Sequence, residues 1–167
     1  PQLLPAPCTQ AAIQALPRLR SRSRVVVAAP SYAEHAYQWR QAGHELSEVA
    51  YDQLAAAVDH CDVLSICNPN NPTGEKISPQ LLLEWAARLA ARGGWLIVDE
   101  AFGDTMPEQS VATYTAQKGL IVFRSVGKFF GLAGLRLGFV AAHADLLQQL
   151  ADVLGPWTVS GPAQQIG

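Results

Sequence analysis

The chain has 167 residues, of which 49% are apolar and 16% are charged, and this composition indicates one folded domain rather than a disordered chain. Its formal net charge of −2 gives no electrostatic reason to bind nucleic acid or an acidic membrane surface, and no apolar run has the roughly 18 residues that a membrane span needs. Three cysteines are too few for a disulfide framework, so we expect a reducing, cytoplasmic location.

The predicted elements alternate between helix and strand along the whole chain. Segments with helical composition and spacing are 9–16, 33–41, 52–58, 78–92 and 144–154. Segments with the short apolar or β-branched composition of strands are 24–29, 45–49, 62–67, 95–98, 120–123 and 137–141. Thr9 and Ser78 are the expected N-caps of their helices.

This alternation predicts an α/β fold with a mostly parallel sheet flanked by helices. One connection differs from the others. The segment between the strands at 120–123 and 137–141 has only about a dozen residues, which is marginal for a parallel crossover with its own helix. We therefore expect the strand at 137–141 to run antiparallel, or to reach the sheet by an irregular path.

Polar side chains follow several of the predicted strands. Tyr32 comes after the strand at 24–29, Asn71 after the strand at 62–67, and Asp99 directly after the strand at 95–98. Ser125 and Lys128 follow the strand at 120–123. Because ligands of open α/β sheets bind beyond the carboxyl ends of the strands, we expect these side chains to surround one ligand.

This set of groups matches the chemical needs of pyridoxal 5′-phosphate. Its aldehyde needs a lysine amine, and its pyridine nitrogen needs a carboxylate that keeps it protonated. Its 3-oxygen accepts a hydrogen bond from an amide, its ring stacks on an aromatic side chain, and its phosphate binds hydroxyl and guanidinium groups. The sequence therefore predicts a pyridoxal-phosphate site.

The sequence lacks two other cofactor-binding motifs. A dinucleotide site needs G-x-G-x-x-G after a strand, where this chain has Pro30, Ser31 and Tyr32. A P-loop would need a glycine at the position of Val122 and a hydroxyl residue at that of Phe129.

Three stretches carry a resemblance to a known family. They are the loop at 70–74 (NNPTG), the segment at 98–102 (VDEAF), and the run at 125–128 (SVGK) with Arg136 eight residues beyond its lysine. Together they resemble the fold-type I pyridoxal-phosphate-dependent aminotransferase superfamily, class I and II. The resemblance implies that residues 1–155 are the large domain of such an enzyme, incomplete at the N-terminus. It also implies that residues 156–167 begin the connection to a C-terminal small domain that is absent from this chain.

The resemblance assigns a role to each of eight residues. It implies that Lys128 forms a Schiff base with the cofactor and that Asp99 pairs with the pyridine nitrogen, and these two are the expected catalytic residues. It further implies that the cofactor is bound by Asn71 at the 3-oxygen, by Tyr32 at the ring, and by Thr9, Gln10, Ser125 and Arg136 at the phosphate.

The chain departs from the family pattern at two positions. Cys8 stands where related chains usually carry a glycine, and Phe102 stands where many aminotransferases carry a tyrosine. No metal is expected, because the four histidines lack metal-ligand spacing; all four, His35 included, are interpreted as surface or structural residues.

Within the superfamily the chain resembles the threonine-phosphate decarboxylases of cobalamin biosynthesis, notably over residues 127–139 and at Gly155, Pro156 and Trp157. This implies the decarboxylation of L-threonine O-3-phosphate to 1-amino-2-propanol phosphate, with a phosphorylated amino acid as substrate and no nucleic acid or membrane partner. It also implies a homodimer in the full-length protein, with the side chains that bind the substrate lying outside this chain. The alternatives are a histidinol-phosphate-type aminotransferase and a non-catalytic fragment of such an enzyme.

Overall fold

The computed structural model describes residues 2–166 and contains one sheet of seven strands. The strands are β1 Gln2–Ala6, β2 Arg24–Ala28, β3 Glu45–Val49, β4 Val63–Cys67, β5 Trp95–Asp99, β6 Leu120–Ser125 and β7 Gly138–Ala142. The helices are α1 Thr9–Ala15, α2 Glu34–Gln41, α3 Leu54–Ala57, α4 Pro79–Ala90, α5 Ala144–Leu154 and α6 Gly161–Ile166.

The strand order is β1-β7-β6-β5-β4-β2-β3. All neighbouring pairs from β6 to β3 are parallel, whereas β7 is antiparallel to both β6 and β1. The prediction of a mostly parallel α/β sheet with one antiparallel strand is therefore confirmed.

Helices cover both faces of the sheet, and each face has its own hydrophobic core. Residues Ile13 of α1, Trp39 of α2 and Leu150 of α5 pack on one face. The other face is covered by Leu54 of α3 and by one side of α4, including Trp85. Strands β4 and β5 contribute alternate residues to both cores, which explains their nearly continuous apolar sequence.

Several local expectations need correction. Helix α1 has Cys8, not Thr9, at its N-cap position, and a 3-10 turn at Leu16–Leu19 continues past Pro17. The helix predicted at 52–58 is divided between a 3-10 turn, the single turn of α3 and a second 3-10 turn. By contrast, Ser78 caps α4 as expected, with its hydroxyl accepting a hydrogen bond from the backbone N–H of Leu81.

None of the helices within residues 2–166 has the length and apolarity that crossing a membrane requires.

Candidate active site

A cavity opens at the carboxyl ends of the central strands, beside the first turn of α1. It contains about 860 Å³ of empty space, counting its open mouth. Its lining includes every residue that the sequence predicts for the cofactor, namely Thr9, Gln10, Tyr32, Asn71, Asp99, Ser125, Lys128 and Arg136. The structure brings these eight residues together, and the role of each stays a prediction.

Asp99 lies at the inner end of the cavity, where β5 ends. Its side chain is only 5% exposed, and both carboxylate oxygens have partners. Oδ1 accepts a hydrogen bond from the backbone N–H of Ala101 at 2.9 Å, and Oδ2 lies 2.9 Å from Nε2 of His35. A buried carboxylate is costly unless it is paired in this way, so the structure provides for a charged group here.

His35 is the functional candidate that sequence reasoning missed. It is buried in α2, its Nδ1 lies 3.3 Å from the hydroxyl of Ser65, and its ring is nearly parallel to that of Phe123. Burial lowers the pKa of His35, but hydrogen bonds to Asp99 and Cys67 outweigh that effect and raise the pKa to about 10. The interpretation of His35 as merely surface or structural is incomplete, because His35 directly contacts a predicted catalytic residue.

The sequence contains a pattern that indicates the burial of His35. His35 precedes Ala36 and lies four residues before Trp39, and all three are buried on the face of α2 that packs against the sheet. The interpretation of His44 as structural agrees with its position, because its two ring nitrogens contact backbone groups of Ser23 and Pro17.

Three potential metal ligands also meet here, although they come from three separate elements. The ligand atoms of His35, Cys67 and Asp99 lie within 4.8 Å of one another. Spacing along the chain could not indicate this cluster. Because His35 and Asp99 already contact each other at 2.9 Å, hydrogen bonding accounts for their approach.

Tyr32 forms part of the cavity wall, and 49% of it is exposed. Its hydroxyl donates to Oε1 of Gln10 at 3.1 Å, and the amide of Gln10 donates to Glu34 at 2.6 Å. The ring meets His35 edge-on, with centroids 6.1 Å apart. Burial first, and then the negative charges of Glu34 and Asp99, raise the pKa of Tyr32, so its phenol remains a donor at neutral pH.

The turn before α1 lies against β7. A Cβ atom at Gly138 would come within 2.7 Å of the backbone nitrogen of Thr9, so only glycine permits this approach. Cys8 has φ 71° and ψ 164°, a backbone region that residues other than glycine rarely occupy. The turn therefore keeps a glycine-like conformation although the residue is cysteine.

Arg136 and Ser125 lie at the same end of the cavity. Arg136 has a positive φ of 54°, and its Nη2 lies 2.8 Å from the sulfur of Cys8. The hydroxyl of Ser125 accepts a hydrogen bond from the backbone N–H of Gly127 at 3.2 Å. A guanidinium, a hydroxyl and the backbone of Thr9 thus line one end of the cavity, a combination that suits a phosphate.

Lys128 follows β6 and is exposed in the cavity. Its Nζ lies 5.7 Å from the centre of the Phe102 ring, within the range of a cation–π contact. Among residues 2–166 no carboxylate lies within 4.0 Å of this amine. The amine, the paired carboxylate of Asp99 and the phosphate-compatible end fit the groups of pyridoxal phosphate.

Arg124, which also follows the apolar part of β6, has a different role. Its Nη1 donates to the buried carboxylate of Glu100 at 3.0 Å, and its Nη2 donates to Asp104. The same carboxylate accepts a hydrogen bond from the backbone N–H of Val111. Arg124 therefore joins the ends of β5 and β6 to the segment after β5, and it is not among the residues that line the cavity.

Comparisons with known proteins agree on one family. The model of the family "Aminotransferase class I and II" matches residues 1–167. A threonine-phosphate decarboxylase of Pseudomonas aeruginosa is 55% identical over 99% of this chain and 50% of its own length. A histidinol-phosphate aminotransferase of Yersinia enterocolitica is 31% identical over 87% of this chain and 41% of its own length.

A solved structure gives the same fold. The crystal structure of L-threonine-O-3-phosphate decarboxylase from Porphyromonas gingivalis superimposes with a TM-score of 0.87 at 24% identity. The match covers 96% of this chain and 50% of that one. The chain thus spans about half the length of the relatives that it matches.

Proposed function

The chain belongs to the class I and II aminotransferase family, and we propose that it binds pyridoxal 5′-phosphate in the cavity at the carboxyl ends of β4, β5 and β6. We further propose that the protein decarboxylates L-threonine O-3-phosphate to 1-amino-2-propanol phosphate. The observation that carries the cofactor proposal is the convergence of Lys128, Asp99 and Arg136 on one cavity from three separate segments.

Different residues of the cavity lining would bind different parts of the cofactor. Lys128 would bind the aldehyde carbon covalently, and Asp99 would hold the pyridine nitrogen. Asn71 would donate to the 3-oxygen, and Tyr32 would stack on the ring. The phosphate would be held by Arg136 with Ser125, Thr9 and Gln10.

When bound, pyridoxal phosphate supplies an electron-withdrawing ring that accepts the electron pair left on the substrate's α-carbon. Asp99 keeps a proton at the pyridine nitrogen and thereby sustains that withdrawal. Lys128 Nζ would hold the proton that is delivered to the α-carbon of the substrate. The ring of Phe102 lies beside this amine, with its centre 5.7 Å from Nζ.

The choice of decarboxylation over transamination rests on sequence identity. The chain is 55% identical to a threonine-phosphate decarboxylase but 31% identical to a histidinol-phosphate aminotransferase. The cofactor residues alone do not separate the two reactions, because both need an amine, a pyridinium partner and a phosphate site. A histidinol-phosphate-type aminotransferase is therefore the alternative.

The proposal extends to the organisation of the protein. We place the cofactor-binding large domain at 1–155 and the start of a connection to a small domain at 156–167, with Pro1 and Gly167 outside the described residues. Phe129 and Phe130, which follow Lys128 in the chain and are both more than half exposed, support a homodimer in the full-length protein. The three free cysteines support a cytoplasmic location.

Reductive labelling tests the cofactor proposal. The chain contains only three lysines, Lys76, Lys118 and Lys128, and all are exposed. After incubation with pyridoxal phosphate and reduction with borohydride, peptide mapping should find the pyridoxyl group on Lys128. Lys128→Ala should abolish the labelling and Lys118→Ala should preserve it; labelling that persists in Lys128→Ala would refute the role of Lys128.

A turnover assay tests the reaction. The full-length protein should release carbon dioxide from O-phospho-threonine without any amino acceptor. Turnover that requires a 2-oxo acid and releases no carbon dioxide would favour the aminotransferase alternative instead.

A further inference from the structure

We propose that Glu34 is a positioning residue that acts through Gln10, fixing the orientation of Tyr32 against the ring of the bound cofactor. The inference rests on the proposed function, because it assumes that pyridoxal phosphate binds in the cavity with its ring on Tyr32. It assigns a role to a side chain that is not itself among the residues lining that cavity.

Three side chains form a chain of hydrogen bonds from the start of α2 to the wall of the cavity. Glu34 lies in the first turn of α2, and Gln10 lies in the first turn of α1, 24 positions earlier. The amide nitrogen of Gln10 donates to Oε2 of Glu34 at 2.6 Å, and the hydroxyl of Tyr32 donates to Oε1 of Gln10 at 3.1 Å. The side-chain amide of Gln10 thus bridges Glu34 and Tyr32, so the contribution of Gln10 to phosphate binding would come from its backbone.

The chemistry of the three groups gives this chain of hydrogen bonds one direction. An ionised carboxylate only accepts hydrogen bonds, so Glu34 requires the NH2 group of the Gln10 amide to face it. The amide oxygen then faces Tyr32 and accepts from its hydroxyl. Burial first, and then the charge of Glu34, raise the pKa of Tyr32, which keeps the phenol in the protonated form that this direction requires. Without the carboxylate, either orientation of the amide would be possible.

The carboxylate of Glu34 is itself held from the outer side of the helix. The amide nitrogen of Gln38, one turn further along α2, donates to the same Oε2 at 3.1 Å. Among residues 2–166 no cationic side chain lies within 4.0 Å of Glu34. Two amides, and not an ion pair, therefore account for the position of this carboxylate.

Tyr32 is a side chain whose orientation needs such support. It is 49% exposed, and its ring contact with His35 is an edge-on contact at a centroid distance of 6.1 Å. An aromatic side chain that changes rotamer must be ordered when a ligand stacks on it, and this ordering lowers affinity. The hydrogen bond at the far end of Tyr32 orders the ring before the cofactor binds, so the cost of ordering is smaller.

Three variants separate this role from a structural one. Glu34→Leu removes the acceptor for Gln10, whereas Glu34→Gln keeps an oxygen that can accept and removes the negative charge. An acidic side chain in the first turn also stabilises a helix through its charge, and the glutamine variant would lose that effect just as the leucine variant does. Glu84→Leu is the matched control, because Glu84 is an exposed residue of α4, on the opposite face of the sheet, with Arg88 as its partner.

The first measurement needs no cofactor. It follows the NMR signals of the side-chain amide of Gln10 in the wild-type chain and in the variants. In Glu34→Leu the amide proton that faces the carboxylate loses its acceptor, so its signal should move upfield, whereas it should stay in place in Glu84→Leu. An unchanged signal in Glu34→Leu would mean that the amide does not donate to Glu34 in solution, and the proposal would be overturned.

The second measurement is a titration with pyridoxal phosphate. Glu34→Leu should lower the affinity about threefold, because Tyr32 must then be ordered during binding. Glu34→Gln should retain most of the wild-type affinity, and Glu84→Leu should retain all of it. The double variant Glu34→Leu with Tyr32→Phe should bind no more weakly than Tyr32→Phe alone, because both changes interrupt the same chain of hydrogen bonds.

The outcomes distinguish the inference from the proposed function. If Glu34→Leu keeps the wild-type affinity, or if its loss adds in full to that of Tyr32→Phe, Glu34 does not act through Tyr32 and the inference fails. If Glu34→Gln loses as much affinity as Glu34→Leu, the charge on the helix accounts for the effect and the inference fails as well. If the wild-type chain binds no pyridoxal phosphate, the proposed function fails and the inference fails with it.

Discussion

At the scale of single residues, Cys8 has a backbone conformation that ordinarily belongs to glycine. With φ 71° and ψ 164°, it lies in a region where a Cβ atom costs about 1–3 kcal/mol. Its sulfur lies 2.8 Å from Arg136, which itself has a positive φ. Backbone strain of this kind persists where the surrounding contacts hold the residue in place. Here the Cys8 side chain contacts Arg136, a residue predicted to bind the cofactor phosphate.

We predict that Cys8→Gly stabilises the chain by about 1 kcal/mol, because glycine removes the strain at a modest cost in unfolded-state entropy. Cys8→Ala is the matched control, since it removes the thiol but keeps the Cβ atom, and it should give no gain. Urea denaturation of the three proteins measures the free energies of unfolding. Equal stabilities of the Gly and Ala variants would show that the turn is unstrained.

A second prediction concerns Tyr32. Tyr32→Leu should weaken the binding of pyridoxal phosphate by about tenfold, because an aromatic stack is worth roughly 0.5–1.5 kcal/mol beyond its area. Tyr32→Phe keeps the ring and loses only the hydrogen bond to Gln10, so its affinity should fall far less. Titration of the cofactor absorbance measures both. Similar losses in the two variants would assign the effect to the hydroxyl instead.

The sequence was sufficient to identify the residues that line the cavity, but not the residues that contact them from behind. Lys128, Asp99 and Asn71 could be selected because they follow strands, and strand ends share an edge of the sheet. His35 was missed because its contact with Asp99 spans 64 positions along the chain and depends on the orientation of α2. Arg124 lies near the end of β6, but its carboxylate partner Glu100 could be identified only from the folded structure.

At the scale of elements, the turn before α1 and strand β7 depend on each other. Gly138 begins β7 directly beneath Thr9. Gly138→Ala should destabilise the chain by about 1–3 kcal/mol, because the added methyl group would lie 2.7 Å from the Thr9 nitrogen and 3.0 Å from the Cys8 carbonyl carbon. It should also weaken the binding of pyridoxal phosphate, since Thr9 must move.

Gly134→Ala is the control for this prediction, because nothing lies within 4 Å of its added Cβ and its φ is not positive. Thermal denaturation and cofactor titration of both variants provide the comparison. If Gly138→Ala behaves like Gly134→Ala in both, the close approach of the turn to β7 is not required.

Periodicity in the sequence identified the long and strongly apolar elements. It failed for short elements that contain a proline or that have few buried residues. Strand β1 was missed because Pro5 cannot donate to a ladder; the strand is tolerated because it lies at the edge of the sheet. The helix at 52–58 was predicted as one element, but only Leu54 and Val58 of this stretch are buried, so packing stabilises just a short turn. Helix α6 was missed because it has a single buried residue, Ala163.

At the scale of the whole molecule, the cavity depends on strands whose side chains fill both cores. Leu64, Ile66 and Val98 belong to one core, and Val63 and Ile97 belong to the other. The site residues at the ends of these strands therefore rest on a layer that has little freedom to move. The His35–Asp99 pair joins α2 to β5 at the edge of this layer. Because global unfolding separates the pair, the ionisation of His35 is linked to the stability of the whole chain.

This link gives a pH dependence with a definite sign. Hydrogen bonds in the folded chain raise the pKa of His35 from 6.5 to about 10, against the opposing effect of burial. Below about pH 6.5 the imidazole is protonated in both the folded and unfolded states, so the contribution of the pair to stability is fully present. Between these two values only the folded chain keeps the proton, and the contribution decreases by at most about 1.4 kcal/mol per pH unit.

We therefore predict that the free energy of unfolding of the wild-type chain, measured relative to His35→Gln, decreases steadily between about pH 7 and pH 9. Glutamine does not titrate, and groups away from this position ionise alike in both proteins, including Cys61, whose burial raises its pKa to about 11. Urea denaturation across this range isolates His35 by difference. Because a neutral His35 would already have lost its proton at pH 7, parallel curves for the two proteins would mean that Asp99 is paired with an uncharged imidazole.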